Sequence, residues 1–357
     1  MIVTGGGTGG HLFPGIAVAE AMMRRIPSGE ILFVSTDRAI DNQALASRSF
    51  QKVAVSCQPL KGKSGIGVLK SIARLPASIW QAMRIVRKFK PDLVLGVGGY
   101  VTGPVVLAAK LLGVKTCIHE QNSIPGMANR MLGKIVDRIY TSIPGSEAFF
   151  PLEKVVFTGN PVREEFLAEA AVQGGEKNQR VILVLGGSQG AHRVNNLVVE
   201  ALCGEGAERN IRVVHQAGAK DEGWVRDAYR VAGISARVSA FIGDMATAYH
   251  EADLVVSRAG ATTLAELAVL GKPAILIPYP FAADDHQTTN AKFLVDGGAA
   301  RMYQEQGLSG ATIREAVLSL LADEKRLREM ARKMKSYARP EATTAIVKES
   351  LQLLRAV

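Results

Sequence analysis

Five glycines and a histidine stand directly after the first apolar run of the chain. Ile2-Val3-Thr4 is followed by Gly5-Gly6-Gly7-Thr8-Gly9-Gly10-His11, and then by an amphipathic stretch typical of a helix. A strand, a glycine turn and a helix direct backbone N–H groups at a phosphate, and glycine permits the close approach. His11 adds a side chain that changes protonation near neutral pH. The stretch predicts a phosphate-binding turn with a general base at its mouth, a ligand-free turn being the alternative.

The same pattern recurs later in the chain. Residues 91–103 form an apolar run and a second glycine turn, and residues 181–190 form a third, Gly186-Gly187-Ser188-Gln189-Gly190. Residues 252–260 echo residues 91–99, and an alanine- and leucine-rich helix follows both. Two similar halves of this kind predict an α/β fold with two doubly wound, Rossmann-like domains facing each other across a cleft. We expect an N-terminal domain over 1–160, a second over 161–338, and a C-terminal helix in 339–357 that crosses back to the first.

Composition limits the class of protein. The chain has 357 residues, 47% of them hydrophobic, which suits two domains with sizeable cores. Its three cysteines, Cys57, Cys117 and Cys203, lie far apart, which argues against a disulfide framework or a zinc site. The sequence shows no signal-peptide pattern and no apolar run long enough to cross a bilayer. These features predict a cytoplasmic protein.

The net charge of +10 is concentrated in one segment. No acidic residue occurs between Asp41 and Asp92, and the basic residues there equal the whole net charge: Arg48, Lys52, Lys61, Lys63, Lys70, Arg74, Arg84, Arg87, Lys88 and Lys90. In the stretch from Lys61 to Lys90 apolar residues are interleaved with them. This favours a patch on an anionic membrane, an ordinary core-facing helix being the alternative. The stretch has too few aromatic residues to stack bases, so we expect no nucleic-acid binding.

Further polar side chains follow predicted strands, where ligands bind in open α/β sheets. His119-Glu120-Gln121-Asn122 is one such run, with His119 and Glu120 as reserve bases. Thr263 and Glu266 have the spacing of a capping box, but Glu266 is equally suited to two vicinal ribose hydroxyls. Gln287 lies in a polar stretch that is either a solvated loop or a sugar-recognition loop. Without an Asp-x-Asp motif, we expect neither a bridging metal nor a cofactor.

Six motifs, in this order, resemble those of the MurG family of bacterial cell-wall glycosyltransferases. They occupy residues 5–11, 98–103, 119–122, 159–163 and 186–190, and 257–260 together with Glu266. The resemblance implies the two-domain, metal-independent GT-B architecture. It implies inverting transfer of N-acetylglucosamine from UDP-N-acetylglucosamine to the 4-hydroxyl of undecaprenyl-diphosphate-linked N-acetylmuramyl-pentapeptide, which converts lipid I to lipid II with a β-1,4 linkage. Roles in peptidoglycan synthesis, cell shape and cell division at the cytoplasmic face of the membrane would follow.

The resemblance also implies roles for individual residues. Donor contacts are expected from Thr8, Gly9, Gly10, His11, Asn122, Arg163, Gly187, Ser188, Gln189, Ile242, Thr262, Thr263, Glu266 and Gln287. Among them, Glu266 would bind the ribose, the Ile242 backbone the uracil, and both threonines the phosphates. The acceptor diphosphate would lie at Gly6, Gly7, Gly9, Gly98, Gly99 and Tyr100. The resemblance places Asn122 near His11 and makes the stretch from Lys61 to Lys90 the expected membrane-docking surface. It does not identify the general base, for which the residues themselves favour His11, with Glu120 in reserve.

Three other functions remain open from the residues alone. Gly5-x-Gly7-x-x-Gly10 followed by Asp37 also suits an NAD-dependent oxidoreductase. A sugar-nucleotide epimerase of the same architecture would consume a UDP-sugar without a lipid acceptor. A membrane-binding scaffold would keep its lipid affinity without any turnover. Binding of NAD against UDP-N-acetylglucosamine, and a product assay, distinguish these functions from the transferase.

Overall fold

The chain divides into two compact units. The structure, a computed structural model, describes residues 1–46, 48–55, 57, 65–169, 179–186, 190–204 and 210–355. The first unit comprises Met1–Arg163 together with Arg339–Val357, and the second comprises Glu164–Ala338. The division therefore falls three residues after the expected one, and Arg163 belongs to the first unit.

A seven-stranded parallel sheet forms the centre of the first unit. Its strands are β1 (Ile2–Thr4), β2 (Leu32–Ser35), β3 (Gln51–Ala54), β4 (Leu93–Gly96), β5 (Lys115–Glu120), β6 (Arg138–Thr141) and β7 (Val155–Phe157). Their order in the sheet is β3-β2-β1-β4-β5-β6-β7. The helices are α1 (Gly9–Arg25), α2 (Ala39–Ala46), α3 (Gly65–Phe89), α4 (Thr102–Leu111), α5 (Met127–Gly133) and, from the end of the chain, α14 (Ala342–Arg355). The order reverses between β1 and β4, so the turns after these two strands meet at the switch point of the sheet.

Both faces of this sheet are buried, because apolar side chains point alternately to one face and the other along the strands. Ile2 packs into one apolar cluster and its neighbour Val3 into the other, because successive side chains of a strand point to opposite faces. The cluster around Val3 includes Leu12 of α1 and Ile346 of α14. Helix α14 thus completes the core of the first unit, and Ser350 fixes it further through a 2.9 Å hydrogen bond with the buried Tyr140 hydroxyl.

The second unit is built on a six-stranded parallel sheet. Its strands are β8 (Arg180–Leu185), β9 (Ile211–Gln216), β10 (Ser235–Ser239), β11 (Leu254–Ser257), β12 (Ala274–Leu276) and β13 (Ala300–Met302), in the order β10-β9-β8-β11-β12-β13. Its helices are α6 (Glu164–Glu169), α7 (His192–Cys203), α8 (Glu222–Val231), α9 (Met245–Glu251), α10 (Ala261–Leu270), α11 (His286–Asp296), α12 (Gly310–Ala322) and α13 (Glu324–Ser336). Here the order reverses between β8 and β11. The two units therefore repeat one topology, which confirms the doubly wound α/β prediction.

Two local interpretations differ from the structure. Helix α10 begins at Ala261 with Gly260 as its N-cap, so Thr263 lies inside the first turn and Glu266 in the middle of the helix. The capping-box interpretation of Thr263 and Glu266 is therefore wrong. Gln287 does not lie in a solvated loop, because α11 already begins at His286. Within the described ranges, no helix is long and apolar enough to cross a membrane.

We expect Ile346→Ala to destabilise the first unit. Ile346 is fully buried in the cluster that joins α14 to α1, so its truncation leaves a cavity costing about 2–5 kcal/mol of unfolding free energy. Lys348→Ala, an exposed position on the same helix, is the matched control and should change it by less than about 0.5 kcal/mol. Urea unfolding followed by circular dichroism measures both, and equal midpoints for the two variants would contradict the docking of α14.

Candidate functional site

The first two glycine turns touch each other at the switch point of the first sheet. Gly6 and Gly7 have φ of 145° and 85°, and Gly98 and Gly99 have φ of 102° and 85°, values that side-chain-bearing residues rarely adopt. A Cβ placed on Gly99 would lie 2.5 Å from the Gly6 carbonyl oxygen. The backbones therefore pack directly on each other, and glycine is required for space as well as for conformation.

His11 stands at the mouth of these turns. It lies in the first turn of α1 and is partly exposed, with its ring against Gly98, where an added Cβ would be 2.6 Å from Nδ1. Nδ1 lies 3.2 Å from Oε1 of Gln121, whose amide nitrogen donates to the Val97 carbonyl at 2.8 Å. Because Gln121 presents its oxygen, Nδ1 of neutral His11 carries the proton and Nε2 the basic lone pair. Gln121 therefore fixes the orientation of the His11 ring.

His119 is part of the core rather than of the mouth. Its Nε2 lies 3.3 Å from the Gly159 carbonyl oxygen and 2.9 Å from the Ser142 hydroxyl, while Nδ1 lies 3.0 Å from the Gln121 amide nitrogen. Burial lowers the pKa of His119 to about 4, since a charged imidazole loses its hydration there. His119 is therefore neutral at physiological pH and holds Gln121, which in turn holds His11.

Glu120 anchors the loop that follows β5. Its Oε1 accepts hydrogen bonds from the backbone and side-chain amides of Asn122 at 2.9 and 3.2 Å. Its Oε2 accepts from Asn129 at 2.8 Å and from the Gly126 N–H at 3.3 Å. The carboxyl group is buried, and burial raises its pKa. With four donors on two oxygens, Glu120 shapes the loop that presents Asn122.

Tyr100 and Arg38 flank the first turn. The Tyr100 ring lies beside Gly7, where an added Cβ would be 3.7 Å from its Cε1. The Arg38 guanidinium lies 5.6 Å from the centre of that ring and donates to the Gly7 carbonyl at 3.4 Å. Thr8 and Gly10, at the start of α1, are exposed beside them. Arg38 adds a cation to this surface that the motif analysis did not single out.

Arg163, an expected donor contact, belongs to the first unit, as do those at residues 8–11 and Asn122. It is the last residue of the first unit, and its guanidinium stacks on Phe13 of α1, 5.0 Å from the ring centre. The remaining expected donor residues that the structure describes and that follow Arg163 in the chain, Ile242, Thr262, Thr263, Glu266 and Gln287, all belong to the second unit. Gly187, Ser188 and Gln189 lie outside the described residues.

Glu266 is held by a buried tyrosine. It is 8% exposed, and its Oε2 accepts a hydrogen bond from the Tyr249 hydroxyl at 2.9 Å. Tyr249 is fully buried and packs edge-on against Phe166 of α6. One turn earlier on α10, Thr262 and Thr263 are half-buried at the helix N-terminus, where backbone N–H groups and the helix dipole favour an anion.

Gln287 joins two loops of the second unit. Its Oε1 accepts from the Ala259 N–H at 3.2 Å and the Tyr279 N–H at 2.9 Å, which ties the start of α10 to the loop after β12. Arg258 adds a second connection by donating to the Ile277 and Pro278 carbonyls at 3.2 and 3.1 Å. The oxygen of Gln287 is thus used within the protein, and its amide nitrogen is the group suited to a ligand.

The Ile242 backbone has an internal hydrogen bond. Its N–H donates to Oε1 of Gln216, at the end of β9, at a distance of 3.0 Å. Ile242 itself is 7% exposed. Among the described residues, no group of three or more histidine, cysteine, aspartate or glutamate side chains is arranged to hold a metal ion.

We expect the imidazoles of His119 and of His215, a fully buried residue of β9, to stay neutral through mildly acidic pH. Burial lowers their pKa values to about 4 and about 3, against about 6.5 in the unfolded chain. Between pH 6.5 and 4 the unfolded state therefore binds protons that the folded state does not, and stability falls as the pH is lowered, by at most about 1.4 kcal/mol per pH unit per histidine.

NMR titration of the histidine side chains in the folded protein and in urea measures these values. Unfolding midpoints at pH 7 and pH 5 measure the accompanying loss of stability. A folded-state His119 titrating near 6.5 would contradict its burial.

Comparison with known proteins assigns the family. The glycosyltransferase family 28 N-terminal domain matches residues 1–141, and the family 28 C-terminal domain matches residues 181–346. A protein of Desulfotalea psychrophila is 50% identical over 99% of this chain and 96% of its own length. One of Myxococcus xanthus is 43% identical over 99% and 93%. Both are named UDP-N-acetylglucosamine–N-acetylmuramyl-(pentapeptide) pyrophosphoryl-undecaprenol N-acetylglucosamine transferase.

Solved structures agree with this assignment. The crystal structure of Acinetobacter baumannii MurG superposes with a TM-score of 0.76 at 32% identity, covering 98% of this chain and 99% of that one. A UDP-N-acetylglucosamine 2-epimerase, with a TM-score of 0.70 and 15% identity over 100% and 97%, shares the fold alone. With both domains matched and relatives this similar over nearly its full length, the chain belongs to glycosyltransferase family 28.

Proposed function

We propose that this protein transfers N-acetylglucosamine from UDP-N-acetylglucosamine to lipid-linked N-acetylmuramyl-pentapeptide, the lipid I to lipid II step of peptidoglycan synthesis. The observation that carries the proposal is 50% identity, over 99% of the chain, to a relative named for this reaction. The candidate site supports it with groups suited to a sugar nucleotide in one unit and a base beside glycine turns in the other. Turnover of radiolabelled UDP-N-acetylglucosamine with a polyprenyl-diphosphate muramyl-pentapeptide tests it, and consumption of the donor without the acceptor would overturn it.

The second unit is the proposed donor domain. Glu266 accepts the ribose hydroxyls, and Tyr249 holds its carboxylate in place for them. Thr262 and Thr263 receive the donor phosphates at the N-terminus of α10, where the helix dipole stabilises the charge that develops on the departing diphosphate. The amide nitrogen of Gln287 binds the sugar. The Ile242 carbonyl is the group suited to the uracil, because its N–H already donates to Gln216. Ser188, Gly187 and Gln189 keep their roles as donor contacts implied by the resemblance.

His11 is the proposed general base. Nε2 takes the proton of the acceptor 4-hydroxyl while that oxygen attacks the anomeric carbon and the bond to UDP breaks, which inverts the configuration. Gln121 keeps the required tautomer by accepting the Nδ1 proton. Glu120, whose oxygens already accept four hydrogen bonds, orients Asn122 rather than serving as the base. Compensation of the diphosphate charges comes from backbone N–H groups, helix dipoles and arginines, without a metal or a cofactor.

The first unit is the proposed acceptor domain. The surface around Gly98, Gly99 and Tyr100 receives the acceptor diphosphate, and Thr8, Gly9 and Gly10 lead from it to His11. Arg38 is a further cation on this surface, beside Tyr100. Arg163, although it stacks on Phe13 in this unit, remains a candidate partner for donor phosphate.

The segment from Lys61 to Lys90 is the proposed membrane contact. Residues 61–64 lie outside the described residues, and the rest of the segment is mostly α3. On its described part Leu75 and Trp80 are 39% and 60% exposed, and Arg84 stacks on Trp80 at 4.6 Å. An exposed apolar ring beside arginines suits an anionic lipid surface, in which the ring enters the interface and the cations meet headgroups. With this contact, the protein would act as a peripheral enzyme at the inner face of the membrane.

We expect His11→Ala and Glu266→Ala to fail in different ways. Loss of the base should lower kcat by about 100-fold or more with little change in donor KM. Loss of the ribose contact should raise the KM for UDP-N-acetylglucosamine by about 10- to 100-fold, because hydrogen bonds to a charged group contribute about 1.5–3 kcal/mol. Glu315→Ala, exposed on α12, is the control for removal of a carboxylate. Steady-state kinetics with each substrate varied measures both, and equal, negligible effects would refute the role assignments.

Binding to anionic vesicles should depend on salt and on Trp80. Raising the salt from about 0.05 M to about 0.5 M shortens the Debye length several-fold and should release most of the bound protein. Trp80→Ala should weaken binding, whereas Val231→Ala, which removes an 82% exposed side chain in the second unit, should not. Vesicle co-sedimentation gives the bound fraction, and salt-independent binding would exclude this surface as the contact.

A further inference from the structure

The first glycine turn already contains an anion from the protein itself. Asp41, in α2, is fully buried, and its Oδ1 and Oδ2 accept the Gly7 N–H at 2.9 and 3.1 Å. Oδ2 also accepts the Thr36 N–H at 3.2 Å and the Thr36 hydroxyl. The carboxylate thus sits where a glycine turn would otherwise direct its N–H group at a phosphate.

The turn is shaped around this carboxylate. A Cβ on Gly6 would overlap the Asp41 side chain, so only glycine leaves room for it. Arg38, on the same β2–α2 connection, donates to the Gly7 carbonyl at 3.4 Å. The segment 36–41 therefore holds both the N–H and the carbonyl of Gly7.

An acceptor diphosphate is poorly suited to the same N–H group. It would have to displace a carboxylate that also accepts two hydrogen bonds from Thr36, or approach that carboxylate closely as a second anion without intervening charge. Either event costs free energy. Binding of the diphosphate at the exposed start of α1, where Thr8 and Gly10 lie, would avoid this cost. The occupant of the Gly7 N–H is therefore Asp41.

We propose that Asp41 is a positioning residue for the acceptor: it fills the Gly6–Gly7 turn permanently and sets the conformation of the surface on which the acceptor diphosphate lies. This inference rests on the proposed function and alters one part of it, because Gly7 then acts through Asp41 and not as a phosphate ligand. Gly6 contacts Gly99, and α1 with His11 follows two residues after Gly7. A shift of the turn is thus transmitted to the proposed acceptor surface, while Thr262, Glu266 and Gln287, proposed for the donor, lie in the other unit.

Asp41→Asn tests the proposal because it keeps the shape and removes one acceptor oxygen. We expect the acceptor KM to rise at least tenfold and the donor KM to stay within twofold. Asp37→Asn removes the same charge from an exposed position four residues earlier and should leave both values unchanged. A variant that is merely destabilised would lose active enzyme and kcat but keep both KM values.

A milder variant keeps the test decisive if Asp41→Asn does not fold. Thr36→Val removes the hydroxyl that donates to Oδ2 and accepts the Arg38 N–H at 3.4 Å, but keeps the Thr36 N–H donor, and should raise the acceptor KM about threefold. An acceptor KM that falls in either variant would mean that Asp41 competes with the diphosphate, and equal changes in both KM values would exclude a role specific to the acceptor. Each of these results overturns the proposal.

Hydrogen exchange separates this inference from the proposed function. The Gly7 amide should be protected in the wild type and exchange at least tenfold faster in Asp41→Asn, whether or not the enzyme turns over UDP-N-acetylglucosamine. Fast exchange in the wild type would show that the carboxylate does not hold the turn. A protected Gly7 amide in an enzyme without any transfer activity would support the hydrogen bond between Asp41 and Gly7 and would contradict the proposed function.

Discussion

The close approach of two backbones at the carboxyl ends of β1 and β4 governs the first unit. Gly99 lies against the Gly6 carbonyl so closely that a single added carbon would sit 2.5 Å from it, and Gly98 receives the ring of His11 in the same way. Four glycines with positive φ are needed for this contact, and it determines where the His11 ring lies. Side-chain hydrogen bonds then fix the parts that this backbone contact brings together. Gln121, itself bonded to His119, contacts the His11 ring, and Asp41 accepts the Gly7 N–H.

The second unit fixes its loops differently. Its sheet has the same order, but side chains rather than backbone contact join the loops at the carboxyl ends of β11 and β12, through the oxygen of Gln287 and the guanidinium of Arg258. At Gly190 the backbone approach returns, since an added Cβ would lie 2.6 Å from the Ala217 carbonyl oxygen. Gln287 thus joins two loops through its oxygen, and its amide nitrogen is not needed for that connection.

Local patterns were sufficient for some of the elements, and long-range contacts were not accessible from them. Apolar runs followed by glycines predicted β1, β4, β8 and β11 with the turns and helices that follow them, because each of these signals lies within a few residues. Gln121 stands in the polar run after β5, yet nothing in that run says that its oxygen, and not that of Asn122, faces His11 across 110 positions of sequence. Asp41 shows the same limit: an aspartate in a short helix has no sequence mark of a partner 34 residues away. Capping was misassigned at Thr263 because Gly260, a weaker N-cap, begins the helix.

The hydrogen bonds between Asp41 and the Gly7 N–H also distinguish the first turn from a dinucleotide-binding fingerprint, which it resembles in sequence. In such a fingerprint the turn receives the cofactor pyrophosphate and an acidic residue at the end of the next strand receives the ribose. Here the acidic residue on that connection which reaches the turn is Asp41, and it occupies the Gly7 N–H itself, while Asp37 at the expected ribose position is exposed. A carboxylate repels a pyrophosphate, and the Gly7 N–H that would face NAD in a dinucleotide-binding turn donates here to the protein's own Asp41. The spacing Gly5-x-Gly7-x-x-Gly10 therefore indicates a backbone shape that this turn shares with dinucleotide-binding turns. The two differ in the group that accepts the Gly7 N–H, which here is Asp41.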